Sequence, residues 1–555
     1  MNKKVCSFPI LFALLALLIG TCAVVFPASA QAAPTSTGSI TVSGTVARSY
    51  DAYQIFSANV VDGDSDAKIA TDLAWASDAA RDVVLPVLHS AGMPNSKTTA
   101  QEAAEWLNTD SHLTSALSAQ LARSLQSSGA VSVALNAGTA AELPCGYWLI
   151  VADDAISQNE AGTAPIMALV GGGAVTVKPK AATPKVAKHV LEDSTAAWQK
   201  AADATVADDL YWRLSATVPA GLAAYDTYTV RFVDTMGAGL DPSKVAASMR
   251  VYAAAGADGG FDAVQTGKDG HAGTEPAKGW TDITAQCATK VAVDGKTFTV
   301  RTGDLIAALG GADAFTAGAR VVAVYNAPLN SACNHGIAKG NPNEVYLRYP
   351  RSPFADQSGD AGFTRTPSDD ACAYTWDLAL TKRGSDGDKP LAGAVLSIAD
   401  DRGRTLAADG TWDAEGKATV TTGEDGRVTV SGVDSGKLEV RELKAPKGYT
   451  AFEGTRSVTV KAEGLDVKQV AAAKPKLTIT AESPLRADSA DGQTGSLEAS
   501  LINTPTGTPP SITTGGFMPS TGDMAMYAAA AAAVAGAALI VVALLVKRGG
   551  GSHKE

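Results

Sequence analysis

The chain has 555 residues, of which 46% are hydrophobic and 6% aromatic, and its formal net charge at pH 7 is −11. A net negative charge of this size disfavours nucleic acid as a partner, because phosphate binding depends on clustered lysine and arginine. The length allows three or four domains of ordinary size.

The N-terminus has the pattern of a secretory signal peptide. Two lysines precede an apolar run over residues 10–26, and a small-residue cleavage site follows at residues 28–30. We therefore expect residues 1–30 to be removed and the mature chain to lie outside the cytoplasm.

The first domain, residues 31–180, is predicted to be a β-sandwich that carries a helical insertion. Strand-like alternation covers residues 39–46 and 53–56, and it returns at 146–151 and 166–170. Between them, residues 74–127 follow a helical period with a capping box at Thr99 to Glu102. One apolar face of this insertion, which we expect to be core, is formed by Leu113, Leu117, Leu121 and Leu125.

The end of the first domain is marked by the sequence Val177-Lys178-Pro179-Lys180. Pro179 and Pro184 remove two backbone donors, so the strand pattern ends and a domain boundary is expected here. Exposed lysines beside a linker are ordinarily just solvated, and for Lys178 and Lys180 this alternative stays open.

The second domain, residues 185–352, is rich in strands and places two opposite charges on apolar strand faces. A period of two puts Lys188 beside Val186 and Val190, and it puts Asp234 beside Phe232. Buried charges are costly unless they are paired, so a core salt bridge between Lys188 and Asp234 is the plain expectation.

The third domain, residues 373–504, brings three polar side chains into one apolar interior: Lys382, Glu442 and Asn503. These are the groups that spontaneous amide exchange requires. Burial lowers the pKa of an amine, so neutral Lys382 could attack the Asn503 carbonyl while Glu442 shuttles protons and ammonia leaves. No cofactor or metal is needed. A plain buried salt bridge is the alternative, and it leaves Asn503 unexplained. The apolar neighbours that share these strand faces are Trp376, Leu378, Leu380, Leu438, Val440, Leu497, Ala499 and Leu501.

Cysteine and histidine positions favour a structural protein over an enzyme. The six histidines lack metal-ligand spacing, and the usual hydrolase and metalloprotease motifs do not occur. The cysteines that remain after signal cleavage allow three pairings, of which we prefer Cys287 with Cys333 because both fall in one predicted domain. The other two cysteines are Cys145 and Cys372.

The C-terminus combines three parts after a linker at residues 505–517. The sequence Met518-Pro519-Ser520-Thr521-Gly522 precedes an uncharged apolar run over 524–546, and Lys547 and Arg548 follow. The apolar run is long enough to cross a hydrocarbon core of about 30 Å, and the basic pair is typical of a cytoplasmic end. An uncleaved single-pass anchor is the alternative to processing at Thr521.

Together these features resemble the major, or shaft, subunit of the sortase-assembled pili of Gram-positive bacteria. Residues 518–522 are similar to the LPxTG sorting signal with Met518 in place of leucine, and residues 177–180 are similar to the pilin motif. Residues 438–449 resemble the E-box of collagen-adhesin B-type domains. The resemblance implies an all-β chain of tandem immunoglobulin-like, collagen-adhesin-type β-sandwiches.

The resemblance also implies a function and a set of partners. A sortase would cleave between Thr521 and Gly522 and join Thr521 to Lys180 of another copy, and the fibre would end on cell-wall peptidoglycan. Minor pilins and host surface ligands are further expected partners. The alternatives are a monomeric wall-anchored adhesin, which would lack a working Lys180, and a wall-anchored enzyme.

The same resemblance implies internal amide bonds between lysine and asparagine. For the third domain it implies the bond from Lys382 to Asn503. For the second domain it places the asparagine at the position of Arg351, which has no carboxamide. Asn343 lies eight residues upstream, about 26 Å along a strand. We therefore expect no such bond in the second domain.

Overall fold

The computed structural model describes residues 36–44, 48–64, 67–109, 112–153, 160, 162–179, 183–220, 224–292, 296–311 and 317–507. These residues form three successive β domains, so the all-β prediction is confirmed. Each domain encloses its own apolar core between two sheets.

The first domain has two sheets and a layer of three helices. One sheet has the order β5-β1-β8, and the other has the order β3-β2-β6-β7, with β4 beside β2. The elements are β1 (Thr37–Val42), β2 (Ser49–Asp62), β3 (Lys68–Trp75), α1 (Asp78–Ser90), α2 (Ala100–Asn108), α3 (Ser115–Ser127), β4 (Val133–Asn136), β5 (Ala140–Pro144), β6 (Gly146–Ala152), β7 (Ile166–Val170) and β8 (Val175–Val177).

The helical insertion forms where the sequence predicted it. Thr99 and Glu102 make the expected capping box at the start of α2. Leu117, Leu121 and Leu125 are buried on one face of α3 and pack against β2 and β6. Leu113 is an exception, since it precedes the helix and is 38% exposed.

A clamp at the end of the first domain holds the turn that leads into β8. The Nζ atom of Lys68 donates to the carbonyl oxygens of Gly171 and Gly173, at 2.6 and 2.9 Å, and to Asp62 Oδ1 at 2.8 Å. Asp62 Oδ2 in turn accepts from the Gly173 amide at 2.7 Å. Gly172 has a φ of +63°, and a Cβ there would lie 2.5 Å from Asp62 Oδ1, so the turn requires glycine.

The second domain is a sandwich of two large sheets, ordered β10-β9-β12-β18-β14-β15 and β11-β21-β19-β13-β17-β16, with β20 beside β19. The elements are β9 (Lys185–Glu192), β10 (Ala197–Gln199), β11 (Ala201–Asp203), β12 (Tyr211–Val218), β13 (Arg231–Met236), α4 (Val245–Ser248), β14 (Arg250–Ala255), β15 (Thr281–Asp282), β16 (Ala288–Val291), β17 (Thr297–Arg301), α5 (Leu305–Ala308), β18 (Ala319–Asn326), β19 (Asn341–Pro350), β20 (Phe363–Arg365) and β21 (Asp369–Tyr374).

The second domain extends beyond its expected end at residue 352. Both β20 and β21 pair with β19, so residues 363–374 complete this sandwich. The sequence from 353 to 372 has little strand alternation, and the predicted domain bounds left it outside both domains. Only Thr375, which is fully buried, separates β21 from the first strand of the third domain.

The third domain is also a two-sheet sandwich, with the orders β27-β22-β33-β29 and β25-β24-β23-β28-β30-β31; β32 lies beside β33, and β26 lies beside β23. The strands are β22 (Trp376–Gly384), β23 (Val395–Ala399), β24 (Thr405–Leu406), β25 (Trp412–Asp413), β26 (Val420–Thr421), β27 (Arg427–Val433), β28 (Gly436–Lys444), β29 (Tyr449–Thr450), β30 (Thr455–Glu463), β31 (Lys476–Ala481), β32 (Leu485–Asp491) and β33 (Ser496–Pro505). The first strand, β22, and the last, β33, run parallel side by side.

Candidate functional site

The candidate site of the third domain lies between its two sheets. Lys382 on β22 pairs with Leu501 of β33, and Asn503 lies two residues further along β33, so both side chains point to the same interior face. Glu442 reaches them from β28 in the opposite sheet. All three side chains are buried, at 0%, 2% and 6% exposure for Lys382, Asn503 and Glu442. Strand alternation alone had predicted this grouping.

Hydrogen bonds hold the three groups in a reactive arrangement. The amide nitrogen of Asn503 donates to Glu442 Oε1 and Oε2 at 2.9 and 3.0 Å. Lys382 Nζ lies 3.8 Å from Glu442 Oε1 and donates to the Leu501 carbonyl at 3.1 Å. The backbone amide of Phe452 fixes the other side of the carboxyl group at 3.1 Å.

The chemistry available to this cluster follows from burial. Burial lowers the pKa of Lys382 to about 8, so a neutral and nucleophilic amine is accessible near neutral pH. Glu442 contacts the nitrogen that would leave, so it can deliver a proton to it. Among the described residues no donor reaches Asn503 Oδ1, although the atom is buried. An unpaired buried carbonyl costs about 1–3 kcal/mol, which a plain salt bridge between Lys382 and Glu442 does not relieve.

A second cluster of the same composition lies in the core of the second domain. Lys188 on β9 and Tyr325 on β18 belong to one sheet, and Asp234 on β13 and Asn343 on β19 belong to the facing sheet. Lys188 Nζ forms a very short contact with Asp234 Oδ2 and donates to the Tyr325 hydroxyl at 2.9 Å. The expected pairing of Lys188 with Asp234 is thus present.

Asn343, which we had expected to lie too far away, belongs to this second cluster. Its amide nitrogen donates to the same Tyr325 hydroxyl at 2.8 Å, and the residue is fully buried. Strand pairing explains the error: β19 runs antiparallel beside β13, so Asn343 faces Met236 and lies next to the Asp234 position. Arg351 follows the end of β19 and takes no part.

Burial changes both ionisable groups of the second cluster. It lowers the pKa of Lys188 to about 8, against the opposing effect of Asp234, and it raises the pKa of Asp234. Both changes favour the neutral forms of amine and acid. Within the described part of the chain, Asn343 Oδ1 and Asp234 Oδ1 are buried without a hydrogen-bond donor. The second domain therefore holds the same three functional groups as the third.

The expected disulfide between Cys287 and Cys333 is wrong, since both thiols are free. Cys287, beside the edge strand β16, donates to the Ile283 carbonyl at 3.2 Å. Cys333, in the loop between β18 and β19, lies 3.7 Å from His335 Nε2. The two cysteines belong to the same domain, but their sulfur atoms do not meet.

Among the described residues, one group of side chains resembles a catalytic triad, but its thiol is poorly suited to catalysis. Cys333, His335 and Asp377 lie in a row, with 2.8 Å between His335 Nδ1 and Asp377 Oδ2. Burial raises the pKa of the Cys333 thiol, however, which disfavours a nucleophilic thiolate. Within the same residues, no group of three or more His, Cys, Asp or Glu side chains could hold a metal ion.

Several predicted positions fall outside the described residues: residues 1–30, Lys180, the 518–522 motif and the apolar run 524–546. Lys178 is described; it is exposed and directly follows β8. None of the helices in the described ranges has the length and apolarity to cross a bilayer.

Comparison with known families and curated proteins gives two matches. Residues 377–474 match the family described as SpaA, prealbumin-like fold domain, and this span covers most of the third domain. The trypsin-resistant surface T6 protein of Streptococcus pyogenes serotype M6 is 30% identical over 143 residues. That match covers 24% of this chain and 24% of the T6 protein, so the chain spans about a quarter of the length of this relative.

Comparison with solved structures returns subunits of bacterial pili. The T6 backbone pilin of serotype M6 Streptococcus pyogenes has a TM-score of 0.45 at 16% identity, covering 85% of this chain and 98% of that one. The major pilin SpaD from Corynebacterium diphtheriae has a TM-score of 0.40 at 15% identity, with coverages of 85% and 98%. BcpA, the major pilin subunit of Bacillus cereus, has a TM-score of 0.38 at 11% identity, with coverages of 85% and 99%.

Proposed function

We propose that this chain is the shaft subunit of a covalent pilus on a Gram-positive cell. A sortase cleaves between Thr521 and Gly522, forms a thioester with Thr521, and transfers it to Lys180 of another copy. The last subunit is transferred to peptidoglycan. Because the donor and acceptor groups differ, each addition leaves a new acceptor, and the fibre stays open to growth.

The observation that carries this proposal is the pair of buried lysine, carboxyl and carboxamide clusters. In each, the neutral lysine nitrogen attacks the asparagine Cγ, the carboxyl group passes a proton to the amide nitrogen, and ammonia leaves. The products are one new amide and one ammonia, and no external catalyst takes part. Two such bonds per chain would serve a long-lived structural fibre better than an enzyme or a soluble receptor.

The proposal is tested by expressing the chain with its sortase and examining wall extracts on a denaturing gel. The wild-type chain should give a ladder of high-mass species. Lys180→Ala should abolish the ladder and leave a folded, wall-anchored monomer, because the acceptor amine is gone. The matched control is Lys178→Ala, which removes the neighbouring exposed lysine and should leave the ladder largely intact.

The other outcomes of this experiment are also informative. A ladder that persists in Lys180→Ala but disappears in Lys178→Ala would move the linkage site by two residues. A wild-type chain that is anchored but never forms a ladder would be a monomeric adhesin, and the shaft proposal would fail. Mass spectrometry of wall-released monomer should find Thr521 as its last residue.

A further inference from the structure

The junction between the second and third domains encloses a cluster of four carboxyl groups, which we call the junction cluster: Glu192, Asp193, Asp203 and Asp434. The first three belong to the second domain, at the ends of β9 and β11. Asp434 belongs to the third domain, in the turn between β27 and β28. Glu192 and Asp203 are each only 3% exposed.

Hydrogen bonds through the junction cluster connect the two domains. Asp203 Oδ2 accepts from the Trp376 indole at 2.7 Å and from the Ser435 amide at 3.0 Å, and both donors belong to the third domain. The same Ser435 amide also donates to Asp434 Oδ1 at 2.7 Å, so the carboxyl groups of Asp203 and Asp434 meet at one donor across the junction. Two ionised carboxylates are acceptors only and repel each other, so a proton on either of them stabilises this arrangement.

The neighbouring cations do not neutralise the junction cluster. Arg404 directs its guanidinium to Asp208 and Asp400, with contacts of 2.5 to 2.7 Å. Arg402 donates to Asp208 at 2.9 Å and approaches Asp193 only to 3.9 Å. These ion pairs also join the domains, because Asp208 belongs to the second and both arginines to the third.

Two further charged side chains line the rim of the junction: Asp401 and Lys437. Asp401 is exposed, and Lys437 is paired with Glu439 at 2.9 Å. Four carboxyl groups thus face one arginine, whose nearest contact is 3.9 Å, so a proton on one of them lowers their mutual repulsion.

The expected protonation agrees with this geometry. Burial, followed by repulsion from Asp203, raises the pKa of Asp434 well above its ordinary value. The same two causes raise the pKa of Glu192 to about 8, and they also raise the pKa of Asp193. An acid whose pKa is raised in the closed junction stabilises it at low pH, and this stabilisation is lost as the pH rises through the raised value.

We propose that the junction between the second and third domains is a proton-locked hinge, closed while Asp434 carries a proton and opening when that proton is removed. On deprotonation, four negative charges lie together at the junction, where Glu192 and Asp203 are buried. Their repulsion separates the turn at Asp434 from β9 and β11. Opening exposes the connection Tyr374-Thr375-Trp376, of which Thr375 is fully buried in the closed form.

Chymotrypsin provides the test, because Tyr374 and Trp376 are aromatic residues that it cleaves after only when they become accessible. The full chain is digested at pH 6 and at pH 9, and fragments that begin at Thr375 or Asp377 are quantified by mass. At pH 9 the wild-type junction should be cut about tenfold faster than in Asp434→Asn, in which the amide keeps a neutral hydrogen-bond donor at every pH. At pH 6 both proteins should resist equally. Because the wild type and the variant are compared at the same pH, the pH dependence of the protease cancels.

The matched control is Asp401→Asn, which removes a negative charge at the rim and leaves Asp434 able to carry its proton, and it should behave as the wild type. Equal cleavage of wild type and Asp434→Asn at pH 9 would overturn the hinge. If Asp434→Asn does not fold, Glu192→Gln replaces it with the same expectation. Small-angle scattering of the wild type gives a second measurement, since an unchanged maximum dimension from pH 6 to pH 9 also overturns the proposal. Both proposed amide bonds lie within single domains, so the result does not depend on them or on polymerisation.

Discussion

Asn343 is the residue whose role changes most between sequence and structure, and its prediction can be tested by mass. If both clusters react, the secreted chain should weigh roughly 34 Da less than its sequence, which is two ammonia molecules. Asn343→Ala should restore about half of that loss, because the second cluster then has no carboxamide. Glu442→Ala should restore the other half by removing the proton shuttle of the third domain.

The control for this measurement is Arg351→Ala, which should leave both losses unchanged. Peptide mapping should recover a branched peptide that joins the Lys188 and Asn343 segments. A folded wild-type chain at full sequence mass would refute both bonds. A loss of only one ammonia that is insensitive to Asn343→Ala would confine the chemistry to the third domain.

The buried amine of Lys382 should make stability depend on pH when its bond cannot form. In Asn503→Ala the lysine stays free, with a pKa of about 8 in the folded state against an ordinary 10.5. Between these values the unfolded chain binds more protons than the folded one at this lysine, so the contribution of Lys382 to the free energy of unfolding should increase from pH 8 to pH 10.5 and stay level below pH 8.

Denaturant unfolding of Asn503→Ala at pH 7.5, 8.5 and 10 provides the measurement. The double variant Lys382→Met with Asn503→Ala is the control, since it carries every other titrating group but lacks the amine. Identical pH profiles for the two variants would show that Lys382 is not a buried amine of lowered pKa.

At the scale of the element, the glycine turn before β8 gives a prediction about the first domain. Gly172→Ala places a Cβ 2.5 Å from Asp62 Oδ1, the oxygen that accepts from Lys68, so the clamp should break. We expect a larger loss of stability than the backbone conformation alone would cause.

Gly129→Ala is the matched control for this turn. Its φ of +70° is close to the +63° of Gly172, but a Cβ there meets nothing within 4 Å. The difference between the two variants in denaturant unfolding of the first domain isolates the clamp. Equal losses would mean that Asp62 moves aside freely.

The alternation of side chains along a strand explains why the cluster of the third domain was predictable and the cluster of the second domain was not. In the third domain, Lys382, Glu442 and Asn503 each alternate with apolar residues, so local sequence assigns all three to the interior. In the second domain, Asn343 also alternates inward, but its distance from Lys188 depends on β19 pairing antiparallel with β13. That register joins residues more than a hundred positions apart and has no local signal. Tyr325, which bridges the second cluster, was missed for the same reason.

The same limit accounts for the disulfide and the domain boundary. Cysteine counts give the number of pairings but not the separation of two sulfurs, and Cys287 lies beside an edge strand away from Cys333. The segment 353–372 has little alternation of its own, and β20 and β21 are recognisable only by pairing with β19. The helices α2 and α3 were predicted more accurately, because their caps and leucine spacing are local signals in the sequence.

At the scale of the whole molecule, the two proposed amide bonds and the two proposed linkage sites predict how a fibre would respond to pulling. A pulling force applied between Lys180 and Thr521 would pass from β9 through the bond of Lys188 to Asn343. It then follows residues 344–374 into β22 and crosses the bond of Lys382 to Asn503. Only residues 344–374 are both loaded and free to extend within a domain.

Single-molecule stretching between residues 180 and 521 should therefore show one short event. About 30 residues of the second domain can straighten, which adds at most about 100 Å, and the third domain should not lengthen. Asn343→Ala should replace that event with extension of the whole second domain, about 600 Å. Arg351→Ala is the control and should keep the short event. A wild-type fibre that extends by the larger amount would exclude the bond in the second domain.

The position of the first domain relative to Lys180 has its own mechanical consequence. Its described strands and helices end at Val177, before the proposed linkage lysine, so tension in such a fibre would bypass them. This domain can keep its glycine turn, its helical layer and its free cysteine without any covalent brace. In a filament of the proposed kind this domain would carry no load, so its shape and surface could vary while the other two domains carry the tension.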